Sequence, residues 1–324
     1  MNIAFLTEMP FMGKIPADHR NMRTEFAWMY ALNAKHHNIR DYINVSGYDK
    51  VFVIFPKGRV FLDSAGSRLS DEINPVTDLL QSNFVKILKQ QNKQVFIVQE
   101  GPTWWFHNYE MIDQIEFINM IRQSDGIYAH NEYDTKFWKG YTDQVFVMPT
   151  LMIEDLIKHI NWNPENKTII GGNFSRWYGG MSSYIAAQYF ETEIYTISSH
   201  SQRELEDQVV KHLPRVLWTE WMQQLSQFKY AIHLMPTIAA GTFSLNCAYF
   251  GIPCIGNEKV DTQRLCHPEL SIDVDDVDSA VKLAKQLKTD NEFYNYCSTQ
   301  TKENYNKFYN KQLFLEKIYE NDRI

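Results

Sequence analysis

The chain has 324 residues, 44% of them hydrophobic and 22% charged, with a formal net charge of −7 at pH 7 and a pI near 5.8. This is the composition of an ordinary globular protein, and the length exceeds what one hydrophobic core comfortably supports, so two domains are expected. The acidic balance argues against a surface coated for nucleic-acid binding, because phosphate contacts need Lys and Arg, although a local basic cleft is compatible with it.

The first half of the chain alternates predicted strands with predicted helices. Such alternation is typical of a parallel sheet covered by helices. The predicted strands are Asn2–Thr7, Lys50–Pro56, Gln94–Gln99, Gly126–His130 and Gln144–Met148. The predicted helices are Asn21–Lys35, Pro75–Gln91, Tyr109–Arg122 and Asp134–Lys139, with His36-His37 as an exposed helix end.

The polar, proline-containing segment Asn161–Asn166 is predicted to be a linker, after which the alternation restarts. The second set of strands is Thr168–Gly171, Glu193–Ile197, Tyr230–Met235 and Cys254–Gly256. The second set of helices is Met181–Phe190, Glu204–His212, Trp218–Phe228, Phe243–Phe250, Asp276–Leu287 and Asn291–Tyr319. We therefore predict an α/β protein with two doubly wound, Rossmann-like domains facing a cleft. The predicted domains are residues 1–162 and 167–300, with a C-terminal helix at 301–324 that packs back on the first domain.

Several familiar motifs are missing from the sequence. Neither GxGxxG nor GxxxxGK[ST] occurs, which removes the main support for dinucleotide binding and P-loop chemistry. No HExxH, GxSxG or zinc-ligand spacing occurs, so no metal site is predicted. No apolar run approaches a membrane span and no secretory signal is recognisable, so stable membrane insertion is not expected. Four cysteines without CxxC pairing indicate reduced thiols: Cys247, Cys254, Cys266 and Cys297.

Two glycine-containing loops in the second half favour anion binding. The strand Tyr230–Met235 leads through a small-residue loop to Gly241-Thr242, where a helix begins and its first amides lack helical partners. Upstream, Gly171-Gly172 allows close approach of a ligand to the backbone, and Arg176 supplies a guanidinium that can clamp a diphosphate. The alternative for the loop that contains Gly171-Gly172 is a glycine-rich turn with a surface arginine.

The pattern resembles the GT-B glycosyltransferases, whose C-terminal domain binds a nucleotide-sugar. Many members carry E-x7-E ahead of a G-x-P turn; counted back from Gly251, Ile238 and Asn246 stand at the two glutamate positions. The carboxylate that usually grips the ribose is thus absent, although the Asn246 amide can still hydrogen-bond hydroxyls.

A narrower resemblance is to phage DNA glucosyltransferases, which modify hydroxymethylated cytosine. It lies in GGNFSR, TFSLNCAYFGIPC and NEKVDTQR. The resemblance implies that Arg176 contacts the donor diphosphate and that Glu100 is the catalytic base. It also implies a UDP-sugar donor, no further cofactor, double-stranded DNA with hydroxymethylated bases as partner, and a cytoplasmic location (the host cytoplasm if phage-encoded). The predicted donor-binding set is Gly171, Gly172, Asn173, Arg176, Gly241, Thr242, Ser244, Asn246 and Arg264.

The candidate bases also follow from their own position. Glu100 comes directly after a buried strand and before Gly101-Pro102, where a partly buried carboxylate can remove a hydroxyl proton; the alternative is a helix-capping glutamate. Asp18 and His19, after the first strand, are further catalytic candidates, the alternative being an N-cap.

Other cleft candidates are the aromatic loop Trp104–His107, which could stack on a sugar or base, and the segment His130–Glu132, which could reach the acceptor.

The predicted activity is hexosyl or pentosyl transfer to an acceptor hydroxyl, with hydroxymethylated pyrimidine in DNA as one acceptor. A cell-surface glycan or lipid-linked acceptor is the alternative, and a non-catalytic nucleotide-sugar sensor is a third possibility. A basic groove formed by Lys57, Arg59 and Arg68 would favour DNA.

Overall fold

The computed structural model describes residues 1–7, 24–39, 44–54, 81–91, 94–99, 101–108, 111–172, 174, 177–197 and 206–320. By their internal contacts the residues fall into two compact units. Unit 1 comprises Met1–Pro16 and Trp28–Met148, and unit 2 comprises Ala17–Ala27 and Pro149–Ile324.

Unit 1 contains a six-stranded parallel sheet with the strand order β2-β1-β3-β4-β5-β6. Its strands are β1 (Ile3–Thr7), β2 (Lys35–Asn38), β3 (Lys50–Ile54), β4 (Gln94–Val98), β5 (Gly126–Ala129) and β6 (Val145–Val147). The helices in this part of the chain are α1 (Thr24–Ala31), α2 (Gln81–Gln90), α3 (Met111–Gln123) and α4 (Glu132–Trp138). Val51, Val53, Val95 and Ile97 are fully buried, as expected for central parallel strands covered on both faces.

Unit 2 contains a second parallel sheet, ordered β12-β11-β10-β7-β8-β9. Its strands are β7 (Glu165–Ile170), β8 (Glu193–Ile197), β9 (Lys211–Leu213), β10 (Phe228–His233), β11 (Cys254–Asn257) and β12 (Ser271–Ile272). Its helices are α5 (Gly180–Ala187), α6 (Trp218–Leu225), α7 (Thr242–Phe250), α8 (Asp261–Cys266), α9 (Val277–Thr289), α10 (Asn291–Phe308) and α11 (Lys311–Glu320). The predicted α/β class with two Rossmann-like sheets is confirmed.

Side-chain caps and glycines set several helix ends in unit 2. The carboxylate of Asp276 accepts from Ser279 N at 3.0 Å at the start of α9, and Asp290 accepts from Phe293 N at 2.9 Å at the start of α10. Gly251 ends α7 in the left-handed conformation with φ +84°.

The predicted helix ending at Lys35 is too long, and the interpretation of His36-His37 as an exposed helix end is wrong. Asn33 stops α1 in the left-handed conformation with φ +48°, and both histidines lie in β2. His36 is buried and shares a 2.7 Å hydrogen bond with Thr7 Oγ1. This edge strand was not predicted because its side chains are polar and show no hydrophobic pattern. Its pairing with β1 depends on residues that are distant in the sequence.

Four boundaries in the second half also differ from the prediction. The segment predicted as helix Glu204–His212 overlaps β9, which pairs with β8 through Thr196 and His212. Glu165 already belongs to β7, so the predicted linker overlaps a strand. Phe228 opens β10 instead of ending a helix. The last helix divides into α10 and α11, where Asn310 Oδ1 accepts from Leu313 N at 3.0 Å.

Candidate functional site

The strand order of unit 2 reverses between β7 and β10. From β7 the chain proceeds outward to β8 and β9, then returns to β10 and proceeds to the other edge. Ligands in such sheets bind beyond the carboxyl ends of the strands at this switch point. Gly171 follows β7 there, its N–H donates to Ile232 O at 2.9 Å, and His233 ends β10 beside it.

The backbone at the end of β7 has no room for side chains. A Cβ on Gly171 would overlap the Phe243 ring and lie 2.7 Å from His233 Cγ. Gly172 has φ +98°, which favours glycine, and its carbonyl accepts a hydrogen bond from Thr196 Oγ1. The absence of a side chain on Gly171 therefore lets the rings of Phe243 and His233 approach the end of the strand.

The N-terminus of α7 is built around Gly241. This residue has φ +69°, and a Cβ on it would overlap Thr262 Oγ1 and lie 2.5 Å from Val260 Cγ1. Its carbonyl accepts from Leu245 N at 3.2 Å, which is the first hydrogen bond of the helix. The amides of Thr242, Phe243 and Ser244 consequently have no helical carbonyl to bind, which is the arrangement that suits an anion.

Hydroxyl groups fix this helix start. Thr262 Oγ1 donates to Gly241 O at 2.8 Å, and Ser244 Oγ donates to the same carbonyl at 3.1 Å. The two hydroxyl oxygens lie 2.8 Å apart, so either hydroxyl can donate to the other in place of the carbonyl, since each has one proton. Thr262 lies on α8, so this second helix holds the start of α7 in place.

The loop between β10 and α7 is held by further hydrogen bonds within unit 2. Ser183 Oγ accepts from Leu234 N at 2.9 Å, Asn257 Nδ2 donates to Met235 O at 2.9 Å, and Thr150 Oγ1 donates to Ala240 O. Each end of the loop is thereby tied to another element of the same unit.

Ser244 and Asn246, both predicted donor contacts, are buried in the helix. In the amide orientation that satisfies both of its hydrogen bonds, Asn246 donates to Thr242 O at 3.2 Å and accepts from Trp221 Nε1 at 3.0 Å. The amide at the family's second glutamate position thus stabilises the first turn of α7. That it also binds a ligand stays a prediction.

Arg264 lies on α8, whereas the sequence placed it after the last strand of its domain. That placement is wrong, because β12 follows α8 in the chain. The Arg264 guanidinium lies 3.1 Å from Asp261 Oδ1, and its side chain is 43% exposed. Its predicted contact with the donor stays a prediction.

Sequence reasoning missed His233, which belongs to no motif and lies inside the apolar run Tyr230–Met235. Its Nε2 atom is buried and makes no hydrogen bond with any described residue. Burial lowers the pKa of His233 to about 4, so the imidazole is neutral near pH 7. The position of His233 in a predicted strand that leads to the Gly241 loop is the one signal that could have pointed to it.

Five predicted site residues lie outside the described residues: Asp18, His19, Glu100, Asn173 and Arg176. The same holds for Lys57, Arg59 and Arg68 of the predicted basic groove. Their predicted roles stay predictions.

The residues that flank position 100 in unit 1 form a buried polar network. The Gln99 side chain accepts from Trp138 Nε1 at 2.7 Å and donates to Gly101 O at 2.7 Å and to Asp134 Oδ2 at 3.2 Å. Asn131 Nδ2 donates to the same carboxylate oxygen at 3.2 Å. The network ties the end of β4 to the start of α4.

The aromatic loop predicted at Trp104–His107 is a short 3-10 helix, Thr103–Asn108. Phe106 is buried, and the rings of Trp104 and Trp105 meet edge to face at 5.8 Å. Gly101 has φ +67° and lies against the Trp105 ring. Packing therefore accounts for Phe106 and Trp105. His130, in the second predicted segment, is buried and stacks on Trp28 at 5.9 Å.

Among the described residues no group of three or more His, Cys, Asp and Glu side chains could hold a metal ion. In the same part of the chain, no helix combines the length and the apolar character needed to cross a membrane. The four cysteine thiols are buried and unlinked.

Comparison with solved structures identifies the fold. Along its whole length the chain superposes on an alpha-glucosyltransferase in complex with UDP and a 13-mer DNA containing an HMU base, with TM-score 0.64 and 10% identity over 100% of both chains. The chain has the GT-B fold. Two further GT-B structures match: sucrose-phosphate synthase from Thermosynechococcus elongatus (TM-score 0.65, 12% identity, 99% and 88% covered) and Anabaena HepE in complex with UDP (0.63, 10%, 99% and 99%). No family model and no curated protein sequence matches.

Proposed function

We propose that this chain is a glycosyltransferase that moves a sugar from a UDP-sugar to an acceptor hydroxyl. The observation that carries the proposal is the switch point of unit 2. Two glycines at the end of β7 and the first amides of α7, which have no helical carbonyl to bind, lie there, beyond the carboxyl ends of the strands. Two solved structures of the same fold contain UDP, which supports a uridine nucleotide as the probe to try first.

In the proposed reaction, the bond between the anomeric carbon and the diphosphate oxygen breaks as the acceptor oxygen bonds to that carbon. The proton of the acceptor hydroxyl passes to a base, for which we propose Glu100, with Asp18 and His19 as further candidates. The diphosphate leaves with the bonding electron pair. Its charge would be stabilised by the amides of α7 and by the Arg176 guanidinium.

For the acceptor we propose hydroxymethylated pyrimidine in DNA. One solved structure of similar fold is an alpha-glucosyltransferase bound to DNA containing an HMU base, and the chain matches it from end to end. Other structures of this fold include sucrose-phosphate synthase and HepE, so the fold by itself does not select the acceptor.

The first experiment measures donor binding. Titration calorimetry with UDP, ADP and GDP is expected to show binding of UDP to the purified chain. The Arg176→Ala variant should weaken UDP binding at least tenfold, since a charge-assisted hydrogen bond contributes about 1.5–3 kcal/mol. The matched control is Arg122→Ala, an exposed arginine at the end of α3 whose Nε donates to Tyr141 O at 3.5 Å. The control should bind UDP like the parent chain.

The second experiment measures transfer. The chain is incubated with UDP-glucose, UDP-N-acetylglucosamine or UDP-xylose and with duplex DNA that contains hydroxymethylcytosine, and the DNA mass is read by mass spectrometry. Glu100→Gln should abolish the mass increase while UDP still binds, whereas Glu292→Gln, at an exposed position in α10, should not change it. Binding of UDP without transfer or UDP-sugar hydrolysis would instead favour a sensor, and no binding of any nucleotide would refute the proposal.

A further inference from the structure

His233 lies directly across the switch point from Gly171. The strands β7 and β10 pair up to Ile170 and Ile232, so the residues that follow them stand side by side beyond the last pair. The imidazole lies against the Gly171 backbone, since a Cβ there would come within 2.7 Å of His233 Cγ. Phe243, in the first turn of α7, meets the imidazole edge to face at 5.1 Å. The ring therefore lies between the end of β7 and the start of α7.

His267, a buried histidine of unit 2, shows the hydrogen bonds expected of a histidine with a structural role. His267 Nε2 lies 3.0 Å from Ser244 O, and its Nδ1 lies 3.0 Å from Thr301 Oγ1, so both ring nitrogens have protein partners. The buried Nε2 of His233 has no such partner among the described residues. A buried polar atom without a hydrogen bond costs roughly 1–3 kcal/mol, which calls for an explanation other than stability.

We propose that His233 is a further residue of the donor site and that its imidazole donates a hydrogen bond to a phosphate oxygen of the bound nucleotide. This inference rests on the proposed function. A diphosphate offers only acceptor oxygens, and the helix turn whose Phe243 ring contacts the imidazole begins with N–H donors that have no helical carbonyl to bind. A neutral imidazole carries one N–H donor, which adds to that set.

A histidine that binds phosphate should respond to substitution differently from one that only packs: its loss should lower nucleotide affinity without lowering stability. His233→Phe keeps a planar ring against Gly171 and removes both nitrogens. Because it also removes a buried unsatisfied atom, the ligand-free variant should melt at the same temperature as the parent chain or higher. His233→Gln keeps an N–H donor and should retain part of the nucleotide affinity.

The test is titration calorimetry of the full chain and both variants with UDP and with uridine. His233→Phe should raise the Kd for UDP about tenfold, the loss of one good hydrogen bond. His233→Gln should lie between this variant and the parent chain. The affinity for uridine, which has no phosphate, should not change in either variant.

The UDP and uridine titrations distinguish failure of the inference about His233 from failure of the proposed function. If the parent chain binds UDP and His233→Phe binds it equally well, the inference about His233 is wrong and the proposed function stands. If uridine binding weakens as much as UDP binding, His233 does not contact the phosphate. Failure of the parent chain to bind any nucleotide overturns the proposed function itself. Should His233→Phe not fold, the UDP and uridine affinities of His233→Gln decide between the same outcomes.

Discussion

Replacing Gly241 by alanine tests whether the start of α7 is built as described. The residue has φ +69°, and forcing a non-glycine residue into that region costs roughly 1–2 kcal/mol. The added Cβ would also overlap Thr262 Oγ1 and lie 2.5 Å from Val260 Cγ1. Overpacking of this kind costs about 1–3 kcal/mol, so the sum is about 2–5 kcal/mol.

The same chain offers two matched glycines as controls. Gly251 ends α7 with φ +84°, and a Cβ there would meet its nearest atom, Ser298 O, at 3.1 Å, so Gly251→Ala combines similar backbone strain with a much milder steric contact. Gly47 would place its Cβ in open space, and Gly47→Ala should leave stability within about 0.5 kcal/mol of the parent chain.

The assay pairs calorimetric melting with UDP titration. For a unit of this size a loss of 3 kcal/mol lowers Tm by roughly 6–12 °C, and two units are expected to give separable transitions. Gly241→Ala should lower the transition of unit 2 and weaken UDP binding more than tenfold, whereas Gly251→Ala should lower the same transition less and bind UDP normally. Parent-like Tm and UDP affinity in Gly241→Ala would refute the assignment of this helix start as the anion site.

Three further predictions concern hydrogen bonds and protonation. Thr262→Val keeps the side-chain shape but loses the bond to the helix-start carbonyl, so unit 2 should lose about 1 kcal/mol in urea unfolding. Trp138→Phe leaves the buried side-chain oxygen of Gln99, Oε1, without its Trp138 donor, which should lower the free energy of unfolding of unit 1 by about 1–3 kcal/mol in the same assay. Burial lowers the pKa values of His233 and His267 from 6.5 to about 4, so unfolding takes up protons below pH 6.5 and the free energy of unfolding should fall between pH 6.5 and 4. Each histidine should contribute about 2 kcal/mol of that loss by pH 5, and His267→Gln should remove its share of the difference.

Apolar runs made the central strands predictable. The buried segments around Val51, Ile97 and Ile232 have the apolar pattern of central parallel strands, and the prolines that follow them in the sequence, Pro56, Pro102 and Pro236, mark the ends. The edge strands β2 and β9 were missed because their sequences, KHHN and KHL, carry no such pattern and are paired only through their neighbours in the sheet. Tertiary pairing overrides local preference at such positions.

The candidate site was predictable in part for the same reason. The order strand, glycine loop, helix located Gly171 and Gly241 from local signals alone. Asn246 has a partner on α6 and Thr262 has one on α7, and only the folded chain brings these groups together. His233 was missed because a histidine inside an apolar run has no distinctive sequence context. Its contacts with Gly171 and Phe243 are visible only in the folded chain.

The edges of the two sheets have a consequence for how the chain behaves at high concentration. Each sheet ends on short strands, namely β2 with four residues, β6 and β9 with three each, and β12 with two. A long, flat edge would offer a row of backbone groups on which another chain could add a strand. Edges this short, two of them lysine-led, offer little template for such growth, so the fold itself guards against self-association through its sheets.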